Sequence, residues 1–300
     1  MSVYHTPVLL EESLEALDIQ PSGIYVDATF GGGGHSAALL RRLGPRGRLI
    51  AFDKDTDALA NAPKDDRLIL VHNNFRFVHN FVKYKGYDKV DGILADLGVS
   101  SHQFDTSERG FSFRFDAPLD MRMNTLSGRT AGDLVNNLTE EELERIFRLY
   151  GEAEGSRKAA SLICAARAKA PVSTTGDLCR VLEPILPKMQ EHKYLAKIFQ
   201  ALRIEVNGEM EDLRGLMEGA IKSLRSGGRI AVITYHSLED RIVKNYLKAG
   251  NMDGEVERDL MGRGESPYTL VNRKPILPSE EEISGNTRAR SAKLRAAERR

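Results

Sequence analysis

Ile24-Tyr25-Val26-Asp27-Ala28-Thr29-Phe30-Gly31-Gly32-Gly33-Gly34-His35-Ser36 reads as an apolar strand that runs through four consecutive glycines into a helix. About twenty residues further on, the spacing expected within a βαβ unit, a second apolar run, Arg48-Leu49-Ile50-Ala51-Phe52, ends at Asp53. Residues without a Cβ let the chain turn tightly and approach a ligand, and the following helix points its positive N-terminus at the same place. An acid at the tip of the next parallel strand can accept hydrogen bonds from both hydroxyls of a ribose. A plain flexible turn accounts for the glycines alone but not for Asp53 in register. Together they predict a nucleotide-cofactor site.

Two cofactors suit this geometry. Gly32, Gly34 and Ala37 satisfy the G-x-G-x-x-G/A cradle of a nicotinamide dinucleotide. S-adenosyl-L-methionine has no phosphate, and its ammonium and sulfonium are cations. Asp27, inside the strand end, would repel a pyrophosphate and attract those cations, which favours S-adenosylmethionine.

The same βα alternation continues through the first hundred residues. Strands are expected at Ile24 to Ala28, Arg48 to Phe52, Leu68 to Val71 and Gly92 to Asp96, with helices between them. From about Phe104 to Gly208 only helical periodicity is found, including a capping box of Thr139 with Glu142. Strand signal returns at Gly228 to Tyr235. The expected fold is therefore α/β, with a parallel sheet formed by residues 1–105 and 209–300 and interrupted by a helical insertion at 106–208. An insertion at the carboxyl edge of such a sheet overhangs the cofactor cleft and is suited to substrate recognition.

Composition narrows the classes further. No apolar run approaches the ~18 residues of a membrane span, and Met1 to Glu12 lacks the regions of a signal peptide. The expectation is a cytoplasmic protein with no membrane partner. Cys164 and Cys179 have neither C-x-x-C spacing nor a nearby histidine pair, so no metal site is expected and helix packing is their role. Forty-three basic residues balance forty-three acidic ones, so a nucleic acid would have to be met by local patches. Arg157, Lys158, Arg167 and Lys169 form one such patch, and Arg288, Arg290, Lys293, Arg295, Arg299 and Arg300 form another; a solvated helix face and a frayed tail are the plainer readings.

Three further segments carry candidate chemistry. Asp96 ends the fourth strand and faces the reactive end of a cofactor bound across the first two, although a helix cap also explains it. Amino-group methyltransferases acting on DNA have an acid or amide there followed by two prolines and an aromatic; this chain has the acid alone. The segment Arg109 to Met123 interleaves three arginines with three phenylalanines, which fits either unstacked RNA bases or a half-buried extended chain. His236, after the returning strand, can handle a proton or serve structure.

His5-Thr6-Pro7-Val8-Leu9-Leu10, the glycine segment, Asp96-Leu97-Gly98-Val99-Ser100-Ser101, Arg109-Gly110-Phe111-Ser112-Phe113, Pro118-Leu119-Asp120-Met121-Arg122-Met123, His236-Ser237-Leu238-Glu239-Asp240-Arg241 and Asn286-Thr287-Arg288-Ala289-Arg290-Ser291 occur in this order. Together they resemble the bacterial 16S rRNA (cytosine-N4)-methyltransferase family over nearly the whole chain. The resemblance implies a class I, Rossmann-like methyltransferase sheet split by a helical insertion. It also implies S-adenosyl-L-methionine as cofactor and methyl transfer to N4 of a cytidine in the decoding centre, the P-site region, of 16S rRNA presented on an assembled small subunit. By the same resemblance the cofactor contacts are Gly33, Gly34, His35, Asp53, Phe75, Asp96 and Gln103. Asp96 and His236 are the candidate catalytic residues, with Asp96 or a backbone carbonyl near Leu97 as the acceptor for the target amine, and a homodimer is compatible with the family. The segment Leu182 to Lys193, with two prolines, matches none of these motifs. An NAD-dependent dehydrogenase and a non-catalytic RNA-binding assembly factor stay open as alternatives at this point.

Overall fold

The computed structural model describes residues 7–60, 62–257 and 264–300; His5 and Thr6 of the first motif lie outside them. Its centre is a seven-stranded sheet of β1 (Ile24–Asp27), β2 (Arg48–Asp53), β3 (Leu68–His72), β4 (Val90–Asp96), β5 (Leu224–Thr234), β6 (Tyr268–Leu270) and β7 (Lys293–Arg299), in the order β3-β2-β1-β4-β5-β7-β6. The first five strands are parallel, and β7 runs antiparallel between β5 and β6. Parallel strands are covered on both faces, which is why residues 24–26 of β1, 49–52 of β2 and 93–95 of β4 read as apolar runs. Val26, Ile50, Phe52, Ile93, Ala95, Ile230 and Val232 pack on one face, and Tyr25, Leu49, Leu94, Ala231 and Ile233 on the other.

The chain divides into two compact units. One comprises residues up to Gly98 with Met210–Arg300, and the other is Val99–Glu209. The second unit has its own core of Phe111, Leu119, Met121, Phe147, Ile198 and Leu202. Its helices include Ala131–Asn137, Glu140–Gly151, Ser156–Arg167, Thr175–Leu182 and Glu191–Asn207. Three of them open with capping boxes, Thr130 with Asp133, Thr139 with Glu142, and Thr174 with Asp177. Cys164 and Cys179 are free thiols that pack at the edge of this core.

One sequence expectation changes, and one alternative left open there is decided in favour of the half-buried chain. The basic end of the chain is neither a frayed tail nor an open patch: Lys293–Arg299 is a sheet strand whose Leu294, Ala296 and Ala297 are buried. Arg295 forks onto Asp240 at 2.6 and 3.2 Å and Arg299 donates to the Pro267 carbonyl, while Arg290 and Arg300 are exposed. Similarly, the Arg109 to Met123 segment is mostly framework. Phe111 is in the core, Phe113 packs edge-on to Phe199 at 5.2 Å, Arg109 donates to the carbonyls of Arg122 and Met123, and Arg122 pairs with Asp120. Arg114 and Phe115 remain exposed.

Candidate cofactor and catalytic site

Register brings three acids to one edge of the sheet. Asp27 at the end of β1 pairs with Ala51 and with Leu94, so Asp53 and Asp96, each two residues beyond those partners, project from the same face of the sheet at its carboxyl edge. Asp27 is fully buried. Its Oδ1 accepts from the Thr29 N–H at 3.0 Å and its Oδ2 from the Ser36 hydroxyl at 2.6 Å. Burial pushes its pKa up to about 6, against the pull of the Ser36 hydrogen bond. An acid therefore already occupies the N-terminal end of the helix Gly34–Arg42, where a pyrophosphate would have to sit.

The glycine turn meets a different constraint from the one its sequence suggests. Gly33 caps the helix with a φ of 74°, and a Cβ there would lie 2.9 Å from the Phe30 ring. A Cβ on Gly34 would lie 2.3 Å from Pro7. Packing within the protein, and not only room for a ligand, requires glycine at both positions. The Gly31 N–H donates to Asp53 Oδ2 at 2.8 Å, and Asp53 Oδ1 accepts from the Asp55 N–H at 2.8 Å. Asp53 thus ties the loop after β1 to the loop after β2. Burial raises its pKa, opposed by those two amides. Each carboxylate oxygen has a further lone pair, so a ribose hydroxyl can be added without breaking the tie.

Beyond β3, Asn74 caps a short turn of Phe75–Phe77 by accepting from the Arg76 N–H, which holds Phe75 half-buried. An acid that the sequence reading missed joins these loops: Asp212, in the helix Glu209–Ser223, is 2 % exposed. Its Oδ2 accepts from Asn74 Nδ2 at 2.6 Å and lies 3.3 Å from Lys54 Nζ, while Arg76 is 3.7 Å from its other oxygen. Asp212 therefore anchors the residue after Asp53 and the residue before Phe75. The stretch Glu209-Met210-Glu211-Asp212 offers three acids, and nothing in the sequence distinguishes Asp212 from Glu209, which is buried against Arg203, or from the exposed Glu211.

At the other end of the edge, His35 Nε2 is 3.1 Å from the Val8 carbonyl and Nδ1 is 3.8 Å from Asp96 Oδ2. Burial lowers the His35 pKa. A carbonyl can only accept, so the neutral ring carries its proton on Nε2 and turns a lone pair on Nδ1 towards Asp96. Asp96 receives the Tyr235 hydroxyl on Oδ1 at 2.7 Å, and its main-chain N–H donates to Thr29 Oγ1 at 2.7 Å. Its pKa is pushed up to about 7, first by burial and then by the charge of Glu239, with the Tyr235 hydrogen bond pulling it down. His236 is the N-cap of the helix Ser237–Ala249. Its Nδ1 accepts from the Glu239 N–H, and Glu239 accepts in return from the main-chain N–H groups of Tyr235 and His236. Gln103 belongs to the second unit, where it is buried and its Oε1 accepts from the Ser100 N–H at 3.1 Å.

A parallel sheet with an antiparallel last pair of strands at one edge, a glycine turn after β1, a buried acid ending β1 and half-buried acids ending β2 and β4 define a class I, Rossmann-like, S-adenosylmethionine-dependent methyltransferase. Within that class, a model of the MraW methylase family matches residues 2–300, and the chain belongs to that family. It is 56% identical to the ribosomal RNA small subunit methyltransferase H of Parabacteroides distasonis, covering 99% of this chain and 98% of that protein. It is 53% identical to the protein of the same name from Flavobacterium johnsoniae, with coverage of 99% and 98%. A solved rRNA methylase from Streptococcus thermophilus aligns over 98% of this chain and 96% of its own at 12% identity, with a TM-score of 0.42.

Proposed function

We infer that this protein is an S-adenosylmethionine-dependent methyltransferase of small-subunit ribosomal RNA, and that its target is N4 of a cytidine in the decoding centre of 16S rRNA. The observation that carries the chemical part is Asp96, an acid whose pKa lies at about 7, at the same sheet edge as Asp53. The family membership and the relatives' names support the rRNA part. The residues present fit the cofactor. Asp53 keeps lone pairs for ribose hydroxyls, Phe75 offers a ring face to adenine, and Asp27 favours cations over a pyrophosphate at the turn of Gly33, Gly34 and His35. The same property argues against the dinucleotide of a dehydrogenase. The part of Gln103 rests on the resemblance alone.

When bound, S-adenosylmethionine supplies a methyl group on a sulfonium, so transfer to a cytosine N4 forms an N–CH3 bond, breaks the S–CH3 bond, leaves S-adenosylhomocysteine and frees one proton from the nitrogen. The amine is a poor nucleophile because its lone pair is delocalised into the ring. Asp96 Oδ2, accepting a hydrogen bond from the NH2, draws the nitrogen towards the pyramidal form and is poised to hold the freed proton near neutral pH. The His236 ring and Glu239 fix the turn that carries Tyr235. The target base must leave its stack to be reached, and the second unit by itself exposes Arg114, Phe115, Arg157 and Lys158, residue types that hold phosphates and unstacked bases.

No helix among the described residues is long and apolar enough to cross a membrane; a cytoplasmic site of action, an assembled small subunit as substrate and a homodimeric enzyme complete the proposal. The deciding experiment offers labelled S-adenosylmethionine with small subunits from cells lacking the gene, and with the naked RNA. N4-methylcytidine should form in the subunits. RNA binding without label would favour a non-catalytic assembly factor, and label in naked RNA alone would overturn the assembled-subunit reading. Sedimentation of the purified protein tests the dimer.

A further inference from the structure

Tyr235 follows β5 directly and is held at both ends. Its main-chain N–H donates to Glu239 at 2.8 Å, and its hydroxyl donates to Asp96 Oδ1 at 2.7 Å. The ring lies along Gly98, where a Cβ would come within 3.6 Å of it. Burial keeps the phenol pKa well above its ordinary value, so at neutral pH the group keeps its proton and donates. Among the described residues no second hydrogen bond is made to the Asp96 side chain. Oδ2 lies 3.8 Å from His35 Nδ1, which turns a lone pair towards it.

A carboxylate on a free side chain presents either oxygen, in several rotamers. A donor fixed to one oxygen removes that freedom. We propose that Tyr235 is a positioning residue for methyl transfer: by donating to Oδ1 it locks the Asp96 carboxylate and reserves Oδ2 for the proton of the target amine. This rests on the reading of Asp96 as that acceptor. In balance, the N4 nitrogen gains the methyl carbon and loses one proton, which Asp96 Oδ2 takes up; Tyr235 keeps its own proton throughout. The titratable groups facing Asp96 within this unit are His35 from the helix Gly34–Arg42, Asp27 from β1, Tyr235 after β5 and Glu239 from the helix Ser237–Ala249. Among them Tyr235 is the one that stabilises the carboxylate by hydrogen bonding.

Tyr235→Phe keeps the ring and removes only the donor. In the ligand-free protein, a carbon-13 titration of the Asp96 carboxyl should move up by about one pH unit, because a hydrogen bond to the charged form is lost. In single-turnover transfer, the rate at pH 7 should fall about ten- to thirtyfold, with the acid limb of the profile moving to higher pH by the same interval. Calorimetric affinity for S-adenosylmethionine and the thermal melt should stay near wild type. Asp96→Asn combined with Tyr235→Phe should be no slower than Asp96→Asn alone, since Tyr235 acts through Asp96. Fluorotyrosine at 235, a stronger donor, should shift the carboxyl titration downward, which keeps the idea testable if the phenylalanine variant folds poorly. An unmoved titration in both variants, a wild-type rate in Tyr235→Phe, or losses that multiply in the double variant would each overturn the proposal. Wild-type turnover in Asp96→Asn is a separate result: it removes the underlying reading of Asp96, and Tyr235 falls with it.

Discussion

Replacing Asp96 by asparagine should make the ligand-free protein more stable at alkaline pH and, at the same time, a far poorer catalyst. In the folded chain the carboxyl titrates at about 7, against 3.8 when unperturbed. Such a group stabilises the fold, relative to its ionised form, only while protonated. That contribution is complete below about pH 4 and is lost as the pH rises to about 7. At about 1.4 kcal/mol per pH unit the full cost of ionising it in place is about 4 kcal/mol. A quarter of the side chain reaches solvent, which screens the charge, so we expect about half of that, roughly 2 kcal/mol. Asparagine keeps the shape and an acceptor oxygen for Tyr235 and carries no charge. Urea denaturation at pH 8 should therefore show Asp96→Asn more stable than wild type by about 2 kcal/mol, with the difference shrinking towards zero near pH 4. Turnover should drop by about a hundredfold or more, the scale for losing a positioned acid–base group. A variant equally or less stable at pH 8, or a stability difference that does not change with pH, would refute the buried-charge account of Asp96, and wild-type turnover would leave it a structural partner of Tyr235, since Ser100 and not Asp96 caps the helix that follows.

Three other substitutions probe the remaining parts of the edge. Asp53→Ala should weaken S-adenosylmethionine binding by about 1.5 to 3 kcal/mol, since it removes a charged acceptor and frees the Gly31 and Asp55 amides; unchanged calorimetric affinity would show that Asp53 only ties loops. Asp212→Ala should lower the same affinity by about tenfold, the scale of one charge-assisted hydrogen bond, because Lys54 and Asn74 lose their common anchor; a variant that melts lower and binds normally would restrict Asp212 to stability. Arg295→Ala should cost about 2 kcal/mol of folding stability by leaving Asp240, on the helix Ser237–Ala249, with Lys293 as its remaining ion-pair partner, and unfolding at the wild-type midpoint would refute that role.

The cofactor half of this molecule was legible because its signals are local. The run from Ile24 to Ser36 and the strand ending at Asp53 sit within one βαβ unit, where strand, turn and helix follow from adjacent residues and the register of Asp27, Asp53 and Asp96 follows from parallel pairing. The Thr139 and Glu142 capping box is equally local and is present in the helix Glu140–Gly151. Contacts between residues distant in the chain were not legible. The stretch Lys293 to Arg299 reads as charged and polar, and only pairing with β5, together with Asp240 placed 55 residues earlier, turns it into a sheet strand. The same holds for Arg109, spent on carbonyls of the segment that follows it, and for Asp212, buried beneath loops 138 and 158 residues upstream. The amino-acid sequence by itself determined the five parallel strands and the acids that end them and, through the charge of Asp27, favoured S-adenosylmethionine over a dinucleotide, since local periodicity and a short motif suffice for these. The state of those acids was decided by the tertiary structure: Asp96 titrates at about 7 because burial and Glu239 raise it and a tyrosine 139 residues away holds it down, and no pattern of neighbouring residues encodes that.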